Sequence, residues 1–159
     1  MSITTTTHLN FAGTAREALE FYAEVFGGEV SIATYAQFGM PAELPGAHNV
    51  VFGRVDAPNG FRVLAYDTPG EPAAGLAGAA GDTRREQGTT VTSTPFFVAA
   101  SGDTLEEVDG YWGALAAGAT VIEPLAASAW SSGFGMLRDR FGVTWVLDVL
   151  PERATHARG

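Results

Sequence analysis

No cysteine occurs among the 159 residues, which excludes a disulfide framework and a thiol nucleophile. There is no lysine-rich block either, and the formal net charge is −9, so the chain lacks the basic footprint that nucleic acid or an anionic membrane demands. No apolar run approaches the roughly 20 residues needed to cross a bilayer. The opening "MSITTTTHLNF" has neither the charged segment nor the apolar core of a signal peptide. These absences lead us to expect a cytoplasmic protein with no nucleic-acid and no membrane partner. Catalytic signatures are missing as well: there is no G-x-S-x-G elbow, no phosphate loop and no carboxylate pair in a context that suggests acid–base work.

What is present is a globular composition, 46% hydrophobic and 17% charged, in a length that suits one ordinary domain or two small packed modules. In "TAREALEFYAEVFGG", Ala15, Ala18, Leu19, Tyr22, Val25 and Phe26 fall at helical spacing. Thr14 and Glu17 read as a capping box, and Gly27-Gly28 as the stop. The segment "TLEEVDGYWGALAAG" repeats all of this. Thr104 and Glu107 repeat the box, Leu105, Val108, Trp112 and Leu115 the stripe, and Gly118 the stop, each 90 residues after its counterpart. That coincidence predicts an internal duplication.

Each helix is preceded by one strand and followed by three: 4–11, 29–37, 49–55 and 61–66 in the first module, and 92–99, 120–125, 134–137 and 143–149 in the second. Gly60 opens "FRVLAYD" as Gly142 opens "VTWVLDV". The expected organisation is α+β: a first βαβββ module over 1–67, a Gly/Ala/Pro-rich connector over 68–91, a second module over 92–150 and a tail over 151–159.

The stretches "LNFAGTAREALEFYAEVFGGEV" and "WSSGFGMLRDRFGVTWVLDV", at this separation, resemble the vicinal oxygen chelate superfamily of glyoxalases, bleomycin-resistance proteins and extradiol dioxygenases. Within it they are similar to the PhnB-like branch. The resemblance implies two four-stranded sheets curled around a concave cavity, with the helices outside. Members of the branch have carried a demethylubiquinone methyltransferase label, but no glycine-rich nucleotide-binding strand–turn–helix is visible here. In metal-using relatives the first strand of each module gives His or Gln, and the last gives Glu four residues after its opening glycine. Four residues beyond Gly60 and Gly142 stand Leu64 and Val146, which cannot ligate a metal. On the first strand that position maps to Thr6, or to His8 after a shift of two; the 90-residue offset gives Phe96 and Val98 in the second module. A divalent cation needs three or four N, O or S donors together. The expectation is therefore no metal and no cofactor, with a divalent metal held by His8, His48, Asp67 and Asp148 as the alternative.

The expected ligand wall comprises Thr6, His8 and Asn10 on the first strand together with Phe38, Met40, Trp130, Phe134 and Val146. Trp145 reads equally as wall or core, whereas Tyr22 and Trp112 read as core. Asp139 in the turn "RDRFG" reads as structural, Arg84-Arg85 as solvated connector charge, and Arg62 as either a cavity cation or a surface one. His156 in the tail is given no role. If chemistry occurs, His8, Tyr35, Tyr66 and Asp67 are the candidates. Three functions follow in order. The first is a metal-independent domain binding a small apolar or aromatic molecule in a cavity between the modules, to which the acidic charge would draw a cationic one. The second is a metal-dependent lyase, isomerase or dioxygenase with displaced ligands, and the third a dimeric partner module without a small ligand. A homodimer is expected, since a single four-stranded sheet leaves edges and a face in need of a partner.

Overall fold

The helix signal at Thr14 is realised as α1, Ala15–Phe26, in a computed structural model that describes residues 1–70 and 82–152. The chain divides into two compact units, Met1–Ala80 and Gly81–Gly159. Residues 71–81 of the connector and 153–159 of the tail, His156 included, lie outside the described residues.

In the first unit α1 buries Ala15, Ala18, Leu19, Tyr22 and Phe26, as its 3.6-residue stripe requires. It ends where Gly27 enters the left-handed region at φ 72° and donates to the Ala23 carbonyl. The strands are β1 (Thr7–Phe11), β2 (Glu29–Thr34), β3 (Val50–Asp56) and β4 (Arg62–Asp67). They form a sheet of order β1-β4-β3-β2, with β1 parallel to β4 and the other pairs antiparallel. Leu9, Phe11, Val55, Val63 and Ala65 are buried beneath α1. Gly53, opposite Ala65, leaves room there for Leu19, because a Cβ would collide with the leucine side chain. The strand expected over 29–37 stops at Thr34, where the Gln37 side chain accepts the Thr34 N–H at 2.8 Å; Ala36–Phe38 then form one 3-10 turn.

The capping box expected at Thr14 and Glu17 does not form. Thr14 adopts φ −107°, ψ 8° and makes no side-chain cap bond. Asp67 arrives instead from the end of β4, its Oδ1 accepting the N–H groups of Gly13 at 2.8 Å and Ala15 at 3.0 Å.

The second unit begins, within the described residues, with a hairpin of β5 (Thr83–Glu86) and β6 (Thr89–Thr92). Gln87 (φ 49°) and Gly88 (φ 78°) make the two-residue turn. Next come β7 (Val98–Gly102), α2 (Leu105–Leu115), β8 (Thr120–Ala126), β9 (Phe134–Arg138) and β10 (Thr144–Val149), in a sheet of order β7-β10-β9-β8. Here the expected cap is realised. Thr104 is extended, its Oγ1 accepts the Glu107 N–H at 3.2 Å, and Glu107 Oε2 accepts the Asp103 N–H at 3.2 Å. Gly135 repeats the role of Gly53: a Cβ would lie 2.7 Å from Trp112. The strand expected over 92–99 is divided, since Thr92 ends the hairpin and β7 starts only at Val98.

That division changes which residues correspond. His8 lies opposite Leu64, and Ala99 lies opposite Val146. The counterpart of His8 is therefore Ala99, not Val98, which is buried opposite Trp145. Phe96 lies outside any strand and is exposed. A slip of one residue exchanges the two faces of a strand.

Candidate functional site

Each sheet has one face on its helix and one turned away from it. On the open face of the first sheet, His8 stands opposite Leu64 and Asn10 opposite Tyr66. Arg54 continues the first row beside Leu64, and Phe52 lies opposite Ala33 of β2. The exposed His8 places Nδ1 3.2 Å from Asn10 Oδ1, and its ring meets Tyr66 edge-on at 5.2 Å between centroids. Thr6, half-buried, immediately precedes β1. Thus His8, Asn10 and Tyr66 are brought together on one face.

Beside them Asp56 takes two arginines. Arg62 Nε lies 2.6 Å and Arg54 Nη2 2.9 Å from Asp56 Oδ1, and Arg54 also ion-pairs with Oδ2. The hydrogen bond from Arg54, ahead of that from Arg62 and both positive charges, holds the Asp56 carboxyl below its ordinary range. Arg62 is therefore a surface ion-pair member, not a lone cavity cation.

Asp67 belongs to the opposite side. It is 1% exposed, its Oδ1 serves the start of α1, and its Oδ2 accepts the Val50 N–H at 2.9 Å. Three backbone donors occupy the carboxylate, which gives it a structural task. Tyr35 donates its hydroxyl to the Asp67 carbonyl at 2.7 Å. Burial first, then Tyr66 and Asp67, push its pKa up, so it remains a protonated donor at neutral pH. Phe38 is 73% exposed and Met40 half-buried, beside the 3-10 turn; His48 is exposed in the turn before β3.

In the second unit the open face carries Val146 between Ala99 and Met136, and Asp148 between Ser101 and Phe134. Asp148 Oδ1 accepts from the Ser101 hydroxyl. Trp130 is 60% exposed and meets Phe134 edge-on at 5.2 Å. The β5–β6 hairpin reaches the same face: Thr90 Oγ1 lies 3.6 Å from Met136 Sδ, and the Arg85 guanidinium lies 5.4 Å from the Phe134 ring centroid. Arg85 is thus not solvated connector charge, whereas Arg84 is, half exposed between Asp82 and Glu86. The hidden signal was "TRREQGTTVT", two threonine-bearing strands around a two-residue turn ending in glycine, inside a segment whose composition reads as connector. Trp145 lies on the helix face, wholly buried, its Nε1 donating to Asp139 Oδ2 at 2.9 Å. Asp139 Oδ1 also accepts the N–H groups of Phe141 and Val143, the structural role expected of it.

Of the alternative metal set, His8 is on the open face of the first sheet and Asp67 under the helix of that sheet, His48 is in an exposed turn, and Asp148 is on the open face of the second sheet. Among the described residues no three His, Asp or Glu side chains gather to hold a metal ion. Among the same residues no helix is long and apolar enough to cross a membrane.

Comparison with known proteins agrees with this architecture. A protein of Pseudomonas aeruginosa has a solved structure 26% identical to the chain, with a TM-score of 0.70 over 93% of this chain and 98% of that one. A PhnB protein of Bacillus cereus, described as a putative 3-demethylubiquinone-9 3-methyltransferase, is 27% identical, with a TM-score of 0.67 over 93% and 100%. A glyoxylase/bleomycin resistance protein/dioxygenase domain of a Frankia species shares the fold at 13% identity, with a TM-score of 0.60 over 95% and 99%. No curated protein sequence matches the chain. The family model that matches spans residues 7–147, and by it the chain belongs to the Glyoxalase/Bleomycin resistance protein/Dioxygenase superfamily.

Proposed function

We propose that this chain is a PhnB-like, cytoplasmic, homodimeric protein that binds a small molecule on the open faces of its sheets and works without a metal. One observation carries the reading. Leu64 and Val146, at the positions where metal-using relatives place glutamate, hold matching places on the two open faces, opposite His8 and Ala99. Aliphatic side chains there give a ligand an apolar floor and offer no lone pair to a cation. Thr6, His8 and Asn10 on one face, and Trp130, Phe134 and Val146 on the other, supply the contacts, with Phe38 and Met40 beside the 3-10 turn. The likeness to the Bacillus cereus PhnB protein supports the branch. The methyltransferase description belongs to that protein.

The test is metal analysis of protein purified without chelator or immobilised nickel, paired with a thermal-shift screen of metals, aromatic antibiotics and α-keto metabolites. The expected result is metal far below stoichiometric and a raised Tm with an organic compound, because a ligand bound only by the folded state stabilises it. A near-stoichiometric divalent metal that is lost on His8→Ala would overturn the reading.

A further inference from the structure

Arg85 occupies an unusual position for a cation in a chain of net charge −9. Its side chain is 13% exposed, seated by the β5–β6 hairpin over the open face of the second sheet. A guanidinium presents five N–H donors in a planar fork. Here Nη1 donates to Thr90 Oγ1 at 2.9 Å, while Nε is buried without a hydrogen-bond partner. The carboxylate in reach, Glu123 Oε2, stands 3.7 Å from Nε, too far for a hydrogen bond. The guanidinium is therefore charged and under-satisfied at Nε, an arrangement that costs free energy until a closer anion completes it.

Beside the guanidinium lies an aromatic surface. Phe134 sits under the guanidinium, and Trp130 stands edge-on to Phe134 with most of its own ring exposed. The loop that presents Trp130 is tied down. Ser128 Oγ accepts the Ser131 N–H at 3.1 Å, and the Ser131 hydroxyl reaches the carbonyls of Gly133 at 2.7 Å and Val149 at 2.9 Å. An exposed indole on a fixed loop is a preorganised stacking surface.

Resting on the small-molecule reading above, we infer that Arg85, Phe134 and Trp130 form a site for a planar aromatic carboxylate. The carboxylate accepts two hydrogen bonds from the Arg85 guanidinium, replacing the distant Glu123 as counter-ion, while the ring lies against Trp130. The net negative charge draws cations towards the protein as a whole, but a cation placed here would face the guanidinium. Asp148, on the same face opposite Phe134, is already engaged by Ser101.

The experiment is calorimetric titration of the full chain with naphthalene carboxylate, its uncharged carboxamide and naphthylmethylammonium, with Trp fluorescence as a second readout. The carboxylate is expected to bind at least about tenfold more tightly than the carboxamide, the scale of a charge-assisted bidentate contact. Arg85→Met should bring the carboxylate down to the carboxamide's level and leave the carboxamide unchanged. Arg85→Lys, which keeps the charge without the fork, should fall between. Glu123→Gln should tighten carboxylate binding several-fold by removing the competing counter-ion, and Trp130→Ala should weaken both aromatic probes alike. Failure of the carboxylate to bind, equal affinity for carboxylate and carboxamide, or indifference to Arg85→Met would each overturn the inference. Binding of the ammonium probe that Trp130→Ala abolishes would overturn it while leaving the small-molecule reading intact. No binding by any probe or by any compound of the wider screen would sink both.

Discussion

Ala15, the first residue of α1, donates its backbone N–H to the carboxylate of Asp67, the last residue of β4, across 52 positions of sequence at 3.0 Å. The same carboxylate takes the N–H groups of Gly13 and Val50, so one buried side chain joins the helix start, β3 and β4. Asp67→Ala leaves three backbone donors without that acceptor. It is expected to cost about 3 kcal/mol or more, seen as a lower urea midpoint together with faster amide exchange at Ala15 and Val50. An unchanged midpoint would show that water or another acceptor replaces the carboxylate.

The two tryptophans of the terminal hairpin region should behave oppositely. Trp145 is fully buried and bonded to Asp139, so Trp145→Ala is expected to cost about 3–5 kcal/mol. Trp145→Phe fills most of the volume but leaves Asp139 Oδ2 short of a donor, at about 1–3 kcal/mol. Trp130→Ala should change stability by no more than about 0.5 kcal/mol, since surface substitutions usually do no more. Denaturant melts of the three variants decide it, and unfolding by Trp130→Ala would place that indole in the core.

Asp56 supplies a pH marker. Arg54 and Arg62 depress its folded pKa, so its contribution to stability is present above the unfolded Asp value of about 3.9 and is lost as pH falls through the lower folded value. Because the three side chains are substantially exposed, the effect is small and salt-sensitive. A carboxyl-selective NMR titration should place Asp56 below the ordinary Asp range, and Arg54→Gln should return it most of the way. A normal titration in the unaltered chain would contradict the ion-pair geometry.

The proposed homodimer follows from the surfaces each unit leaves open. In the first unit Phe52 is exposed on the open face, and β1 and β2 are edge strands. Exposed faces and edges of this kind are commonly covered by a second sheet, and exchange of modules between copies is a low-cost way to supply one. Sedimentation should give a dimer at micromolar concentration. A monomer independent of concentration would refute it.

Much of the fold was legible because its signals are local. The stripe of α1 follows the helical period and its glycine stop lies at Gly27 as expected, whereas α2 buries only Val108 and Leu115 of its stripe and ends at Leu115, capped by Ala116 ahead of Gly118. Strands expected over 61–66, 120–125 and 134–137 appear as Arg62–Asp67, Thr120–Ala126 and Phe134–Arg138. The site was less legible. His8, Asn10 and Val146 do lie on open faces, but Asp67 and Tyr35, read as candidates for chemistry, spend their polar atoms on the backbone. Arg85 reads as connector charge in the sequence because the composition of its neighbourhood conceals the β5–β6 hairpin.

Sequence alone determined the duplicated modules, the helix positions and the aliphatic identity of Leu64 and Val146, since periodicity and glycine spacing act over a few residues. Tertiary structure alone decided that Asp67 caps α1 in place of Thr14, that Ala99 answers His8, and that Arg85 lies over Phe134. Each of these depends on which distant strands pair and in which register. A β-strand alternates with period two, so a shift of one residue, invisible to composition, moves a side chain from one face of the sheet to the other.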